Sequence, residues 1–304
     1  MNKADDAKAI KNRWAGVYSR GAPTYGGVQF FTRAGHRLVA LAQIPSGACV
    51  LDVGTGRGAN LFPASEQVGR DGRVTGVDLA DGMVQETRAE VRRRGLRNVD
   101  VHHMDAEHLA FLNASFDRVL CGFVLYFLPQ IHHAFTEFAR VLKPGGVLAI
   151  TGPDPAARDR ANASPLWDLL PKYAQKSDRL RRVQADNREL WERVHRKAWP
   201  ERQAAGALSF PRARELEAVV QQAGFLDIKV IKEEAEIIAA DEEEWWTWQW
   251  FHMPRSMLEQ MEPVVLQEFK EAVFKKLQPR RQQDGIHERV HYLFTLATKP
   301  ARVS

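Results

Sequence analysis

Apolar residues near the N-terminus recur with a helical period. A helix is expected over residues 4–19, and a second over residues 28–43, after "RGAPTYGG" breaks the first. Residues 1–44 are therefore interpreted as an N-terminal helical lid. The apolar positions of the first helix follow the spacing i, i+4, i+7 and i+8: Ile10, Trp14, Val17 and Tyr18.

From residue 45 onward, apolar runs alternate with amphipathic segments. The runs predict strands at "ACVLDVG", "RVTGVDL", "NVDVHHMDA", "FDRVLCGFVLYFL" and "GVLAIT". Helices are predicted at "ANLFPASEQV", "DGMVQETRAEVRRRG" and "IHHAFTEFARVLKPGG". Repeated βα units of this length predict a parallel, doubly wound sheet over residues 45–151.

Two stretches interrupt this alternation. Residues 152–209 are interpreted as a helical cap insertion, and a second helical insertion is expected at 241–280. The helix "PRARELEAVVQQAGF" and the strands "LDIKVIKEE" and "ERVHYLFTLATKP" resume the sheet within residues 210–304. The predicted fold is α/β: a doubly wound, mostly parallel, seven-stranded Rossmann-like sheet with an N-terminal helical segment and two helical cap insertions.

Composition adds little to this picture. The 304 residues are 44% hydrophobic and 27% charged, with a net charge of +5, as in an ordinary globular protein. The longest apolar run, Val119–Leu128, is too short to span a bilayer, and the charged N-terminus is not that of a signal peptide. Cys49 and Cys121 are interpreted as buried thiols in a reducing compartment. No membrane span and a cytoplasmic location are therefore expected.

The glycine-rich turn "LDVGTGRGAN" follows the first predicted strand of the sheet. Gly54 and Gly56 permit a tight turn there, and Gly58 lets the next helix begin close to a ligand. The third glycine comes one residue earlier than in a dinucleotide fingerprint, and Asp52 precedes the loop. A carboxylate there disfavours a pyrophosphate and favours an ammonium or sulfonium group. S-adenosylmethionine is therefore preferred over NAD as cofactor.

Two further acids end the next two predicted strands. Asp78 is placed to accept both hydroxyls of a ribose, and Asp105 is placed to accept from an adenine amino group. Each acid alone is also explained as the cap of a following helix. Together with Asp52 and the glycine loop, they indicate a ligand site at the carboxyl edge of the sheet.

These motifs resemble the class I S-adenosylmethionine-dependent methyltransferases, and more narrowly the small-molecule group that includes the ubiquinone and menaquinone biosynthesis enzymes. "LDVGTGRG" is similar to the family's first motif, "GVDLADGMV" to its ribose motif and "MDAEHLAF" to its adenine motif. "FDRVLCGFVLYFLP" with "RVLKPGG" is similar to its fourth strand and following helix. The resemblance is close over residues 45–151 and looser over 210–232 and 288–300.

The resemblance implies a set of cofactor contacts. Asp52 and Gly54 are expected near the methionine part, Asp78 at the ribose, and the backbone of Cys121 and Gly122 near the sulfonium. Tyr18 and Tyr25, in "YSRGAPTY", resemble a tyrosine pair that lies near the cofactor in relatives, but the aspartates that often follow those tyrosines are missing here. Tyr126-Phe127 stands where relatives often have His-His. The full set of expected contacts is Tyr18, Tyr25, Asp52, Gly54, Gly56, Gly58, Asp78, Leu79, Asp105, Ala106, Cys121 and Gly122.

A phenol or enol acceptor must lose a proton during methyl transfer, and histidine is the usual agent. His133, with its neighbour His132, and Tyr126 are the predicted catalytic candidates, although first-turn histidines are also explained as exposed positions. His195 is a candidate on the substrate side. The Asn/Asp-Pro-Pro-aromatic sequence typical of exocyclic amine methylation is absent after the fourth strand, and no carboxylate cluster predicts a metal.

Four of the eight tryptophans lie in "DEEEWWTWQW", residues 241–250. On a helical wheel, Trp245 and Trp248 share one face while Trp246 and Trp250 share the opposite one. Core packing, a membrane-surface helix and the wall of an acceptor pocket all explain such a cluster. Trp246 and Trp250 are the predicted substrate contacts. Trp167, Trp191 and Trp199 are further candidates for the same wall.

The sequence thus predicts a methyltransferase that uses S-adenosylmethionine to methylate oxygen or carbon of an apolar small molecule, such as an aromatic, polyketide, quinone or isoprenoid-like metabolite. One alternative is an RNA methyltransferase, although nucleic acid is disfavoured as a partner. It would use three arginine clusters: Arg92–Arg94 with Arg97, Arg179 with Arg181 and Arg182, and Arg280 with Arg281. Another is a protein of the same fold that binds S-adenosylmethionine without methylating. A monomer or a homodimer is expected.

Overall fold

The computed structural model describes residues 3–25, 29–157, 164–195 and 211–301. Its N-terminal part consists of the helices α1 (Lys3–Gly21) and α2 (Gln29–Leu41). Acidic residues begin α1 and Arg20 ends it, which suits the helix dipole. Gly35 brings α2 close to the loop after the first strand, because a Cβ at Gly35 would lie 2.2 Å from the carbonyl oxygen of Ala59.

The sheet begins with five strands that alternate with helices. β1 is buried along most of its length and pairs in parallel with β2 and β4, which explains its near-continuous apolar sequence. The elements of this half are β1 (Cys49–Val53), α3 (Leu61–Val68), β2 (Arg73–Asp78), α4 (Asp81–Arg93), β3 (Val99–His103), β4 (Phe116–Gly122), α5 (Ile131–Val141) and β5 (Leu142–Pro153).

The second half contributes three strands and most of the cap. β8 pairs antiparallel with both β5 and β6, and the short β7 adds an eighth strand at its end. The elements are α6 (Pro165–Ala174), α7 (Asp178–His195), α8 (Ala213–Gln222), β6 (Leu226–Ala239), α9 (Glu242–Gln249), α10 (Arg255–Leu258), α11 (Pro263–Leu277), β7 (Arg281–Gln282) and β8 (Gly285–Thr298).

The strand order is β3-β2-β1-β4-β5-β8-β6. This arrangement confirms the predicted doubly wound, mostly parallel sheet. The order reverses between β1 and β4, and in open α/β sheets ligands bind at such a switch point, outside the carboxyl ends of the strands. None of the described helices is long and apolar enough to cross a membrane.

The prediction was wrong about the end of β4. The strand was expected to continue to Leu128, but it ends at Gly122, and a 3₁₀ turn spans Leu125–Phe127. Phe123 interrupts the extended backbone because its φ is +57°, in the left-handed region that is rare for bulky residues. Its N–H donates to the carbonyl of Thr151 over 2.8 Å, which fixes the bend.

The tryptophan-rich helix was also predicted with the wrong length. α9 ends at Gln249, so Trp250 lies in the following turn and the two predicted aromatic faces do not form. Trp245, Trp246 and Trp248 are buried in a single apolar cluster with side chains of α6 and α11. The tryptophans therefore form the core of the helical cap, packed on the extended ends of β6 and β8.

Candidate active site

A cavity of about 450 Å³ lies at the carboxyl ends of β1, β2, β3 and β4, beneath α1. Its size falls within the range of about 300–1,000 Å³ that is typical of small-molecule sites. The structure brings most of the predicted cofactor contacts into its lining, together with one catalytic candidate. These are Tyr18, Tyr25, Gly54, Gly56, Gly58, Asp78, Leu79, Asp105, Ala106, Gly122 and Tyr126.

The glycine loop bounds the cavity at the end of β1. The φ angles of Gly54 and Gly58 are +65° and +86°, conformations that other residues rarely adopt. A Cβ on Gly54 would lie 2.1 Å from Cγ2 of Val124, and one on Gly58 would lie 2.4 Å from the ring of Phe62. The loop therefore requires glycine both for its backbone and for its close packing.

Asp52 lies under this loop and is fully buried rather than in the cavity lining. Its Oδ2 accepts from the Thr55 hydroxyl over 2.6 Å, and its Oδ1 accepts from Nδ2 of Asn60 over 2.9 Å. Burial raises the pKa of Asp52 to about 6, although these two hydrogen bonds lower it. Cys121, on the neighbouring strand, is likewise buried beneath the site.

Asp78 joins the loop to the next helix. Its Oδ2 accepts from the Gly56 N–H and its Oδ1 from the Ala80 N–H, each over 2.8 Å. Burial raises its pKa, and the backbone hydrogen bonds oppose this shift. Because each carboxylate oxygen has a further lone pair, Asp78 is able to accept two hydroxyl groups from a ligand in the cavity.

Asp105 is held by a residue that the sequence did not indicate. Its Oδ2 lies 2.5 Å from Nζ of Lys11, and its Oδ1 accepts from the Glu107 N–H over 2.9 Å. Burial opposes ionisation of Asp105, but these bonds outweigh it and lower its pKa below the usual value. Lys11 also lines the cavity.

Asp105 and two neighbouring side chains lie close enough together to suggest a cation site. Donor atoms of Asp105, Glu107 and His108 lie within 4.8 Å of one another, the one such group found among the described residues. The ammonium of Lys11 already contacts both carboxylates and supplies the positive charge there. The cluster is therefore explained as an ion-pair network, and we assign no metal to it.

Aromatic side chains form another wall of the cavity. Tyr18 and Tyr25 contact each other edge to face, with ring centroids 6.0 Å apart. Burial raises the pKa of both phenols and of Tyr126, so all three stay neutral and are able to donate hydrogen bonds. Phe31 and Phe123, with centroids 5.0 Å apart, complete this wall.

Sequence reasoning missed several of the lining residues. A signal existed for Lys11, because it lies on the same face of α1 as Trp14 and Tyr18 at the spacing i, i+3 and i+7. Phe31 and Phe123 gave no comparable signal. Phe123 was assigned to a strand, and the position of α2 over the cavity depends on packing between distant segments.

Other predicted site residues lie elsewhere. His132 and His133 are exposed in the first turn of α5 and do not line the cavity, which removes the geometric basis for His133 as a base. Trp246 is buried in the cap and Trp250 packs against the same cluster, so neither reaches the cavity. His195 ends α7, but its side chain lies outside the described residues.

Among the other predicted wall residues, Trp167 lies on α6 and is 38% exposed. The side chain of Trp191 and the whole of Trp199 lie outside the described residues. The structure places Trp245, Trp246 and Trp248 of α9 in the packed core of the cap, as the packing interpretation expects.

The residues present fit S-adenosylmethionine. The chemistry of the donor set matches its parts, because Asp78 suits a ribose diol, Asp105 an exocyclic amino group, and Asp52 provides negative charge under the loop. The methyl-bearing end of such a ligand would lie by Gly54, where a Cβ has no room. Val124 and Phe123 are the next side chains along that wall.

Comparison with known proteins finds methyltransferases among the relatives of this chain. Residues 50–146 match a family described as a methyltransferase domain. Nocamycin O-methyltransferase of Saccharothrix syringae is 34% identical over 256 residues, 84% of this chain and 84% of that protein. Aklanonic acid methyltransferase DauC of Streptomyces sp. (strain C5) is 43% identical over 147 residues, 48% of this chain and 67% of that protein.

A further sequence relative and two solved structures are also similar to this chain. Demethylmenaquinone methyltransferase of Listeria welshimeri is 38% identical over 109 residues, 36% of this chain and 46% of that protein. The YcgJ protein of Bacillus subtilis has a TM-score of 0.56 at 17% identity, over 88% of this chain and 99% of that one. The [4+2]-cyclase SpnF has a TM-score of 0.52 at 20% identity, over 89% of this chain and 81% of that one. On the similarity over 84% of both chains and the family match, the chain belongs to the S-adenosylmethionine-dependent methyltransferases.

Proposed function

We propose that the chain methylates an oxygen or carbon atom of an apolar small molecule that carries a flat ring system. The observation that carries this proposal is the aromatic wall of the cavity. Phe31, Phe123 and Tyr25 form a continuous surface there, with Phe31 stacked on Tyr25 at a centroid distance of 5.7 Å. Such surfaces favour flat apolar ligands because aromatic rings stack on one another.

The relatives support a small-molecule acceptor. The two with the highest similarity given above are named for aklanonic acid and nocamycin, and a third is named for demethylmenaquinone. SpnF shares the fold but is named as a cyclase, so the fold alone does not establish methyl transfer. The closer sequence relatives make methylation the better supported reaction.

In this proposal each acid has one task at the cofactor. Asp78 accepts the two ribose hydroxyls, and Asp105 accepts from the adenine amino group while the Ala106 backbone lies beside the ring. Asp52 lies beneath the glycine loop and holds it by accepting hydrogen bonds from Thr55 and Asn60. The bound cofactor supplies an electrophilic methyl group, so the protein's task is to align the acceptor and exclude water.

Tyr126 is proposed to donate a hydrogen bond to the acceptor rather than to remove its proton. Burial raises its pKa, which makes the phenolate a minor form.

Among histidines of the described residues, His36 lines the cavity, and the ring of His252 lies 6.2 Å from that of Phe31. Burial lowers the pKa of His252 to about 4, so its imidazole is neutral.

The arginine clusters do not favour the RNA alternative. Arg93 and Arg94 share the one carboxylate of Glu90, Arg181 pairs with Asp178, and Arg281 pairs with Glu242. Part of the positive charge that a phosphate backbone would need is therefore already paired within the chain.

Methyl transfer itself tests the proposal. The purified protein is incubated with methyl-labelled S-adenosylmethionine and a panel of phenols, quinols, ring-bearing carboxylic acids, short amines and total RNA. Label in a ring-bearing apolar compound supports the proposal. Label in RNA or in no acceptor contradicts it. Phe123→Ala, compared with Phe274→Leu in the cap, shows whether transfer depends on the aromatic wall.

A further inference from the structure

Lys11, on α1, makes two ion pairs with carboxylates near the cavity. Its Nζ lies 2.5 Å from Oδ2 of Asp105 and 2.7 Å from Oε2 of Glu107. The side chains are well shielded, at 10% exposed for Lys11 and 0% for Glu107. A shielded ion pair holds its two side chains in a defined geometry, whereas an exposed ion pair fixes the positions of its side chains only weakly.

Glu107 is fixed from its other side as well. Its Oε1 accepts from the N–H of Gln130 over 2.6 Å, at the residue that precedes α5. Both carboxylate oxygens of Glu107 are therefore engaged. Lys11 is thus held by an anchor in the loop after β3, which is itself fixed at the start of α5.

The helix that carries Lys11 covers the cavity. The rings of Trp14 and Tyr18 lie 4.9 Å and 5.2 Å from that of Phe127. At its end, the Ser19 hydroxyl accepts from the Gly82 N–H over 3.2 Å. Through the pair of Lys11 with Asp105, the described part of α1 directly contacts a proposed cofactor-binding carboxylate.

We propose that Lys11 is a positioning residue for S-adenosylmethionine: it holds the Asp105 carboxylate in place for the adenine amino group. This inference rests on the proposed placement of adenine at Asp105. Lys11 and, over 3.4 Å, Nδ1 of His108 both contact Oδ2 of Asp105, whereas Oδ1 accepts, within the described residues, from the Glu107 N–H alone and keeps a lone pair for the ligand.

The test compares two product-like ligands that differ in one group. S-adenosylhomocysteine carries the adenine amino group, and S-inosylhomocysteine carries an oxygen instead. Dissociation constants of both are measured by calorimetry for the full chain, for Lys11→Met and Lys11→Arg, and for Lys8→Met as a matched control. Lys8 lies three residues earlier on α1 and is exposed.

Lys11→Met is expected to weaken S-adenosylhomocysteine by about tenfold or more, as for the loss of a hydrogen bond to a charged group, and S-inosylhomocysteine much less. Lys11→Arg retains most of the discrimination, and Lys8→Met changes neither constant. Unchanged discrimination in Lys11→Met overturns the proposal. Equal weakening of both ligands also overturns it, since it assigns Lys11 a purely structural role.

Two controls separate this proposal from those on which it rests. Asp105→Asn is measured with the same ligands, and unchanged discrimination there shows that adenine does not bind at Asp105. If the unaltered chain binds neither ligand, the assigned cofactor site itself is wrong. Should Lys11→Met not fold, judged by circular dichroism, Lys11→Gln is measured in its place, because it also removes the positive charge but keeps a polar side chain, and the same two outcomes overturn the proposal.

Discussion

Asp78 receives one backbone N–H on each of its carboxylate oxygens, and one of these belongs to Gly56, 22 residues earlier in the chain. The carboxylate therefore holds the glycine loop against the start of α4. Its position depends on parallel pairing of β1 with β2, which places Asp52 opposite Gly76 and ends both strands at the same edge. The site is thus a direct product of the strand register.

The glycine loop gives a prediction in which two glycines serve as a matched pair. Gly54→Ala introduces a Cβ 2.1 Å from Val124 at a φ of +65°, whereas Gly47→Ala has a φ of +77° but no atom within 4 Å of the Cβ. Gly47→Ala is expected to cost about 1 kcal/mol from backbone strain alone. Gly54→Ala is expected to weaken S-adenosylhomocysteine at least tenfold, measured by calorimetry, while Gly47→Ala leaves binding intact. Equal effects of the two changes on binding would argue against the loop as a binding element.

Asp52 gives a prediction about stability and pH. Burial raises its pKa from 3.8 to about 6, so the folded chain holds this proton more tightly than the unfolded chain between these values. The free energy of unfolding therefore falls as pH rises through this window, by about 3 kcal/mol at most for this group. Asp52→Asn removes the titration.

Urea unfolding at pH 4 and pH 7 measures this difference. From pH 4 to pH 7, the free energy of unfolding of the unaltered chain should fall relative to that of Asp52→Asn, by about 2–3 kcal/mol. A parallel pH dependence of the two proteins contradicts the assignment. Asp71→Asn, at an exposed position, is the control and should behave as the unaltered chain does.

The cap tryptophans give a prediction that separates packing from acceptor binding. Nε1 of Trp245 donates to Oε2 of Glu288 over 2.6 Å, and burial raises the pKa of that carboxyl group. Trp245→Phe removes the donor and leaves a buried acceptor, so it is expected to lower the free energy of unfolding by about 2–3 kcal/mol. Trp246→Phe retains an aromatic ring and is expected to lower it by about 1 kcal/mol. If Trp246→Phe changes the KM of the acceptor but not the free energy of unfolding, Trp246 contacts the acceptor and the packing interpretation is wrong.

The aromatic wall gives a prediction about acceptor specificity. Phe31→Leu shortens a ring that contacts both Tyr25 and Phe123, so it is expected to raise the acceptor KM several-fold by the loss of stacking, about 0.5–1.5 kcal/mol. The dissociation constant of S-adenosylhomocysteine should stay unchanged. Phe274→Leu, which alters a ring in the cap cluster, is the control. An effect on cofactor binding alone would place Phe31 at the cofactor instead.

Local sequence signals were sufficient for the fold and for the acids of the site. The positions of Asp52, Asp78 and Asp105 follow from three strands that end at one edge, because parallel strands bring their carboxyl ends together. The glycine loop was visible from its spacing alone. Periodicity and strand ends therefore predict features that depend on neighbouring residues in the chain.

Features that depend on distant contacts were not predictable in this way. Lys11 lies 94 residues from Asp105 in sequence, and only the packing of α1 over the sheet brings them together. The left-handed φ of Phe123 ended a strand that its apolar sequence would have continued. Trp250 lies outside α9, so a helical wheel assigned it a face that does not exist.

The central claim is that the cavity at the ends of β1 and β2 binds S-adenosylmethionine through Asp78. Calorimetry of S-adenosylhomocysteine with the unaltered chain, Asp78→Ala and the exposed control Asp71→Ala tests it most directly. Binding at one site per chain, a loss of about tenfold or more in Asp78→Ala, and no change in Asp71→Ala are the predicted results. No binding to the unaltered chain, or undiminished binding to Asp78→Ala, would contradict the claim.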